Sequence, residues 1–209
     1  MENDNKEEYI MNKSLSTKKL VLLGMMSALL ILMAFTPLGY LNIGLLAITL
    51  NIIPVAISIV ATGTAGGLVT GGLFGLTSCL QCIGIGGTSA MGAALFAINP
   101  WLTVLHRFGS RLLTGLVVSF IYKLLKNKIG NVSYFITGFC SALFNTLFFM
   151  TTLILFFYNT EYVQNLMGGK NVILFVCSFV GINAVFEMIA SCLVTGGVCS
   201  ALKKGNLID

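Results

Sequence analysis

The sequence predicts an all-α integral membrane protein with six transmembrane helices and both termini in the cytoplasm. Hydrophobic residues make up 56% of the chain and charged residues only 9%, against about 25% charged residues in a typical soluble domain. No Lys, Arg, Asp, Glu or His occurs between Leu20 and Leu105. The 23 glycines fit the same class, because small residues let membrane helices approach one another closely.

Six apolar runs, separated by breaks, define the spans. Pro37 ends the first run, and the glycine-rich loop 84–92 follows the third. Pro54 lies inside the second run, where we expect it to kink the helix. A short helix over 93–98 should stop at Asn99, which precedes a proline. The predicted spans are residues 20–36, 44–61, 65–83, 101–125, 132–158 and 172–202.

The predicted organisation is one transmembrane domain, residues 18–204, between the polar tails 1–17 and 205–209. The mixed charge of the N-terminal tail is typical of a disordered or surface-lying segment. The first apolar run is not followed by a small-residue cleavage site, so we expect it to be a retained span rather than a signal peptide.

The lysines predict the orientation of the spans. An even number of spans places both ends of the chain on one side, and the lysines collect there, whereas the opposite loops hold Lys170 alone. Basic loops face the cytoplasm. The fourth and sixth spans should therefore begin at the outer face. The lysines of the cytoplasmic side include Lys13, Lys18, Lys19, Lys123, Lys126, Lys128, Lys203 and Lys204.

Three ionisable residues within the spans are the main candidates for function. Arg107 and Arg111 lie one helical turn apart on the fourth span, and Glu187 is the one acid within any predicted span. Two cations against one anion leave a positive charge that suits an anionic ligand. At ~1.5 Å per residue, Arg107 lies about 9 Å and Arg111 about 15 Å from Trp101. We therefore predict that Arg107 binds substrate, or else snorkels to the outer interface, and that Arg111 and Glu187 form a structural ion pair.

Other polar and aromatic side chains in the spans are weaker candidates for ligand contact. Amides within apolar helices more often form helix–helix hydrogen bonds. An aromatic belt at the interface explains an aromatic residue at a span end equally well. His106, the one histidine, is expected to pack at the interface. The candidates are Gln81, Asn99, Trp101, Asn145 and Asn183, of which Gln81 and Asn99 lie in the predicted outer half.

Several classes of chemistry are disfavoured by the sequence. Cys79 and Cys82 have CxxC spacing, but no second pair or histidine cluster completes a metal site, so the six cysteines are interpreted as packing residues. There is no phosphate-binding GxxxxGK[ST] motif and no HExxH. We therefore expect no metal, no cofactor and no nucleic-acid partner. The chain also lacks the paired similar halves that many secondary transporters show.

Several short runs follow one another in a recognisable order after Ser16. The runs are Thr17-Lys18-Lys19-Leu20 with Gly24-Met25-Met26-Ser27-Ala28, Thr36-Pro37-Leu38-Gly39-Tyr40, Ile48-Thr49-Leu50-Asn51-Ile52-Ile53-Pro54-Val55, Gly72-Leu73-Phe74-Gly75-Leu76-Thr77-Ser78-Cys79-Leu80-Gln81-Cys82, and Asn99-Pro100. By the order of these runs, rather than by any one of them, the chain resembles the substrate-binding S components of energy-coupling factor (ECF) vitamin transporters over nearly its whole length after Ser16. The last three runs look like the pantothenate-type subgroup.

The resemblance implies a non-enzymatic membrane subunit that captures a vitamin, most plainly pantothenate, in the outer half of the bundle. It implies capping loops at 38–43, which would bring Tyr40 to the ligand, and at 84–92. It implies that Gly24 and Ala28 pack against a transmembrane coupling subunit, although Gly24 departs from the family's alanine. It also implies two ATPase partners, and a location among the lipids of a bacterial plasma membrane.

Three alternatives remain open from the sequence. The ligand could be riboflavin or another vitamin or precursor, because pocket shape depends on loop conformation. An integral-membrane enzyme acting on a lipid or isoprenoid is a second possibility, although no acid–base pair supports it. A structural assembly subunit, in which the arginine–glutamate pair only holds helices together, is the third.

Overall fold

A computed structural model of the protein describes residues 17–36, 39–43, 46–87 and 89–208, with the backbone alone for the strand residues 40–43 and 46–48. Helices dominate this part of the chain, and five of them are long and apolar enough to cross a membrane. A sixth apolar helix, Ile52–Thr62, is shorter. The architecture confirms the predicted all-α polytopic membrane protein. The helices are α1 (Thr17–Ala34), α2 (Ile52–Thr62), α3 (Thr64–Leu80), α4 (Ala90–Ile98), α5 (Pro100–Ile129), α6 (Val132–Phe157), α7 (Glu161–Met167) and α8 (Val172–Lys204).

A two-stranded hairpin replaces the first part of the predicted second span. Strands β1 (Tyr40–Ile43) and β2 (Leu46–Thr49) pair antiparallel, with Tyr40 opposite Thr49 and Ile43 opposite Leu46. The prediction of a helix over 44–61 is therefore wrong before Ile52. Pro54 does not kink the helix either, because it lies in the first turn of α2, where its missing N–H donor is not needed.

Helix caps set the remaining boundaries. Ser89 accepts a hydrogen bond from Gly92 N at 3.2 Å, so α4 begins at Ala90, three residues before the predicted start. Asn99 accepts from Leu102 N at 3.1 Å, which starts α5 with Pro100 at its first position. A short helix, α7, occupies part of the connection 159–171 between the predicted fifth and sixth spans.

The bundle has two distinct ends, which we name by what they hold. The hairpin end holds the hairpin, the turn Gln81–Ile83, α4 and α7, while the lysine end holds the start of α1, the α5–α6 turn and the end of α8. Lys18 Nζ donates to Asn206 O at 3.2 Å, so the two ends of the described chain meet at the lysine end. This agrees with the even number of spans that the sequence predicts.

Helix packing in the lysine-end half depends on small residues. A Cβ at Gly67 would collide with Ser119 Oγ and Gly115 O, and one at Gly138 would collide with Ser191 O. Three helix pairs, α3–α5, α6–α8 and α2–α3, are thereby held in close contact, the last through Gly66. Buried hydroxyls here donate to the carbonyl one turn back, as Ser119 Oγ does to Gly115 O at 2.5 Å.

Candidate functional site

A π-helical turn, Leu105–Gly109, interrupts α5 near the hairpin end and carries Arg107. The widened turn is accommodated by the neighbouring helix, since a Cβ at Gly75 of α3 would lie 2.9 Å from Phe108 Cα. Single π turns inside α-helices often occur at functional sites. The turn and the two residues that follow it place four polar or cationic side chains, those of His106, Arg107, Ser110 and Arg111, in the interior of the bundle.

Arg107 is buried, with only 5% of its surface exposed, although it carries a full charge. Its two terminal nitrogens donate to hydroxyls: Nη1 to Ser78 Oγ at 3.1 Å and Nη2 to Ser89 Oγ at 2.9 Å. Its Nε has no hydrogen-bond partner within the described part of the chain. The Phe149 ring centre lies 5.7 Å from Arg107 Cζ. The guanidinium therefore sits in a partly aromatic, partly hydroxylic environment rather than in an ion pair with a described residue.

The start of α4 points towards the same guanidinium. Ser89 caps α4 and also accepts from Arg107, and a Cβ at Gly92 would lie 2.8 Å from Arg107 Nη2. The first amides of a helix carry a partial positive charge. Two positive features thus converge on one small region, which is an arrangement that favours an anion.

Arg111 lies one turn deeper, between two aromatic rings. Its Cζ is 4.6 Å from the Phe74 ring centre and 5.3 Å from that of Phe149, and its Nη1 donates to Arg107 O at 3.1 Å. These contacts orient Arg111 along α5 towards the base of Arg107. The Phe149 ring contacts both guanidiniums, so it helps to fix their positions relative to each other.

Glu187 of α8 contacts the hairpin. Its Oε1 accepts a hydrogen bond from Thr49 N at 2.6 Å, and the residue is 7% exposed. The charge of Arg111 acts on this carboxylate, but the direct hydrogen bond that the structure shows is to the end of β2. The predicted Arg111–Glu187 ion pair stays a prediction, and the observed role of Glu187 is to tie the hairpin to α8.

His106 is fully buried rather than interfacial. Its Nδ1 lies 2.7 Å from Thr152 Oγ1, and its ring packs 4.5 Å from the Phe149 ring and 6.2 Å from that of Phe157. It joins α5 to α6, which supports a packing role, although the predicted location at the interface is wrong.

The predicted amide and aromatic candidates divide into three groups. Gln81 is buried and its Nε2 donates to Ala34 O at 2.7 Å, so it joins the ends of α3 and α1. Asn99 caps α5, and Trp101 is 85% exposed, so the structure does not bring either into the buried cluster. Asn145 lies one turn from Phe149 on α6 and is 7% exposed.

Two further candidates belong to α8 and β1. Asn183 lies one turn from Glu187 and lines a largely apolar groove of about 810 Å³ along residues 177–189 of α8. Tyr40 belongs to β1, and its side chain lies outside the described residues.

Sequence reasoning missed the hydroxyl partners of Arg107 and the aromatic contacts around it. Ser78 and Ser89 are ordinary residues in membrane helices and loops, and nothing in their local pattern marks them.

Buried polar atoms that lack a hydrogen-bond partner in the described ranges are concentrated towards the hairpin end. A buried group of this kind is costly and rare in a native structure. Two comparable atoms, Ser191 Oγ and Thr195 Oγ1, lie towards the lysine end. Those at the hairpin end or the middle of the bundle are Thr36 Oγ1, Asn51 Oδ1 and Nδ2, His106 Nε2, Arg107 Nε and Asn145 Oδ1.

Comparison with known protein families assigns the chain to one of them. The sequence profile described as "ECF transporter, substrate-specific component" matches residues 18–198, most of the chain. The chain belongs to this family. No individually curated protein matches it. The ECF substrate-specific component is a membrane-embedded, substrate-binding part of a transporter and not an enzyme.

Proposed function

We propose that this S component captures a small vitamin bearing a carboxylate, pantothenate being the one we name, at the hairpin end of its bundle. Arg107 would hold the carboxylate. Delivery would follow through a transmembrane coupling subunit and two ATPases in a bacterial plasma membrane. The unit of function would be the single domain 18–204, with both termini cytoplasmic and the hairpin end outside, as the lysines at the opposite end favour.

The observation that carries the proposal is the environment of Arg107. A guanidinium 5% exposed is held at its two terminal nitrogens by neutral hydroxyls, next to the N-terminal end of a helix. Burying a charge among neutral groups is costly, whereas a carboxylate would match the fork of the guanidinium with two parallel hydrogen bonds. The structure therefore favours an anionic partner for this group.

The scarcity of acidic side chains within the membrane-spanning helices supports the same inference. Of the seven acidic residues in the sequence, Glu187 is the one within the membrane-spanning helices, and it already accepts from Thr49 N. Its hydrogen bond to the hairpin competes with any role as the partner of Arg107. A carboxylate supplied from outside would balance the charge without breaking that contact.

The predicted coupling face on α1 is open in the structure. A Cβ at Gly24 meets no atom within 4 Å, and Met25, Leu29 and Leu32 on the same helix are exposed. A small-residue position on an apolar, uncovered helix suits close approach by a second membrane helix. Gly24 and Ala28 thus remain our proposed contact with the coupling subunit.

The experiment is a titration of the purified protein with a panel of vitamins, including pantothenate, its carboxamide analogue and riboflavin. We expect pantothenate to bind, and the carboxamide to bind at least about tenfold more weakly, since a charge-assisted hydrogen bond contributes roughly 1.5–3 kcal/mol. Equal affinity for acid and carboxamide, or binding of riboflavin in preference to every carboxylate in the panel, would contradict the proposal.

A further inference from the structure

Asn51 is the most unusual uncharged residue of the hairpin end. It immediately precedes α2 and is 0% exposed, yet neither its Oδ1 nor its Nδ2 has a hydrogen-bond partner among the residues that the structure describes. A fully buried amide with both ends unpartnered requires an explanation, because its desolvation is not offset by any hydrogen bond.

A capping role does not explain Asn51, as two other asparagines of the same chain show. Asn99 and Asn171 also precede helices, and each accepts a hydrogen bond from the third helical residue, at 3.1 Å and 2.9 Å. Asn51 occupies the corresponding position before α2 with helical backbone angles, φ −60° and ψ −16°, and makes no such bond. Its side chain is therefore directed elsewhere than to its own helix.

The contacts of Asn51 show where it is directed. A Cβ at Gly39 would lie 2.8 Å from Asn51 Oδ1 and would collide with Met33 O, so the amide lies against the segment that leaves α1. Thr36 lies in that segment, and its Oγ1 is also buried without a partner in the described chain. An amide and a hydroxyl, both neutral and both available, thus lie at the junction of α1 and α2.

This junction is connected to the anion site by a continuous run of hydrogen bonds. Gln81 Nε2 donates to Ala34 O at 2.7 Å, Ser89 N donates to Gln81 O at 3.3 Å, and Arg107 Nη2 donates to Ser89 Oγ at 2.9 Å. The end of α1, which leads into the α1–α2 junction, and Arg107 therefore belong to one hydrogen-bonded region of the hairpin end.

We propose that Asn51 and Thr36 form a second ligand subsite, which recognises a neutral hydrogen-bonding group of the captured molecule, an amide or a hydroxyl, at a distance from its carboxylate. The inference rests on the proposed function and deepens it. A carboxamide side chain offers one acceptor and one donor group, so it complements a ligand amide or a hydroxyl, which also offers both. The ligand class is then a carboxylate that carries an amide or hydroxyl elsewhere in the molecule.

The test uses an isosteric apolar substitution, because it separates a ligand contact from a structural one. Asn51→Leu keeps the number and branching of the side-chain heavy atoms and removes both polar atoms. An amide that has no partner in the protein should be replaceable without loss of stability, so the ligand-free melting temperature should be unchanged or higher. Affinity for pantothenate should fall at least about tenfold, since up to two hydrogen bonds are lost.

Two further variants complete the design. Thr36→Val removes the second polar group and should weaken pantothenate binding by roughly threefold or more. Thr195→Val is the matched control, because Thr195 Oγ1 is likewise buried and without a partner in the described chain but lies towards the lysine end. Its affinity for pantothenate should equal that of the parent protein.

The outcomes distinguish this inference from the proposed function. Asn51→Leu should weaken the acid and its carboxamide analogue in equal proportion, because it leaves the carboxylate contact with Arg107 intact. If the parent protein prefers the acid but Asn51→Leu binds pantothenate as the parent does, or if the variant loses ligand-free stability together with affinity, the second subsite is wrong and the anion site stands. If the parent protein shows no preference for the acid, the proposed function fails, and the subsite inference fails with it.

Discussion

The two halves of the bundle differ in how many of their buried polar atoms lack hydrogen-bond partners among the described residues. In the lysine-end half, hydroxyls such as Ser119 donate to backbone carbonyls, and glycines such as Gly67 and Gly115 bring helix backbones into contact. In the hairpin-end half, Arg107 and Asn51 are buried with polar atoms that the described chain leaves without partners. The first pattern is typical of structural helix packing, and the second is expected of a ligand-binding site.

The contrast shows why a membrane protein can hold a charge so deeply. Close glycine contacts fix the helices of one half, so the other half can keep polar groups that do nothing for stability. The polar half is also the one closed by a hairpin rather than by a full-length helix, and Glu187 holds that hairpin to α8. Stability should therefore depend mainly on the lysine-end half, and ligand binding on the hairpin-end half.

The largest expected effect is on folding. Gly115→Leu would drive a side chain into Gly67 O, where the backbones of α3 and α5 meet, so the variant should lose most of its folded yield. Overpacking typically costs roughly 1–3 kcal/mol, and a backbone collision belongs to the upper part of that range or above it. Gly197→Leu is the matched control, because a Cβ at Gly197 meets nothing within 4 Å. Equal monodisperse yields of the two variants by size-exclusion chromatography would show that this contact does not hold the scaffold.

The next effect is on assembly and should leave both halves intact. Gly24→Leu places a bulky group on the open face of α1, so copurification with the coupling subunit should be lost while pantothenate binding to the isolated protein persists. Gly181→Leu, at an equally open position on α8, should copurify normally. Loss of vitamin binding with assembly intact would assign the Gly24 face to the ligand instead.

An intermediate effect is expected at the tie between hairpin and bundle. Glu187→Leu removes the acceptor for Thr49 N, so the hairpin should open more readily and the dissociation rate of pantothenate should rise about tenfold, in keeping with one charge-assisted hydrogen bond of roughly 1.5–3 kcal/mol. Glu187→Gln keeps an acceptor oxygen and should recover part of the slow dissociation. Stopped-flow measurement of both rate constants checks this, and an unchanged dissociation rate in Glu187→Leu would contradict it.

The smallest effect is expected from a single methyl group beside Arg107. Gly92→Ala would place a carbon 2.8 Å from Arg107 Nη2 and 2.9 Å from Cys82 Sγ, so the guanidinium must shift out of line with its ligand. Partial loss of the bidentate hydrogen bonding between the guanidinium and the ligand carboxylate should weaken the free energy of binding by about 1 kcal/mol. Calorimetry should then show a Kd raised roughly fivefold. Gly72→Ala, whose methyl group would meet Leu112 Cδ1 at an ordinary 3.8 Å, should bind as the parent does. Equal affinities of the two variants would mean that Arg107 is not held in place at Gly92.

Much of the fold was predictable because a lipid-embedded chain must satisfy its backbone within each segment. Hydropathy alone therefore located the long helices, each within a few residues of its observed ends. The hairpin was not predictable in this way, because the run 44–61 is largely apolar and strand pairing depends on a partner segment. Pro54 carried usable information, since a proline is tolerated in a first helical turn, but we interpreted it as a kink.

The candidate site was likewise only partly predictable from the sequence. Arg107 and Arg111 were found because charge is conspicuous in an apolar chain, and depth along a helix follows from residue count. Depth gives no lateral distance, so the sequence could not show that Glu187 contacts Thr49 or that Ser78 and Ser89 contact Arg107. Asn51 was invisible as a candidate, because only the folded chain shows that both of its polar atoms lack partners.

The most direct test of the account is titration of the Arg107 variants with pantothenate and with its carboxamide analogue. Arg107→Ala should weaken binding of the acid at least about tenfold and abolish the preference for acid over carboxamide. Arg107→Lys should recover only part of the affinity, because it keeps the charge and loses the planar fork. The account is contradicted if Arg107→Ala binds the acid as tightly as the parent protein does, since the buried charge would then serve the bundle and not the ligand.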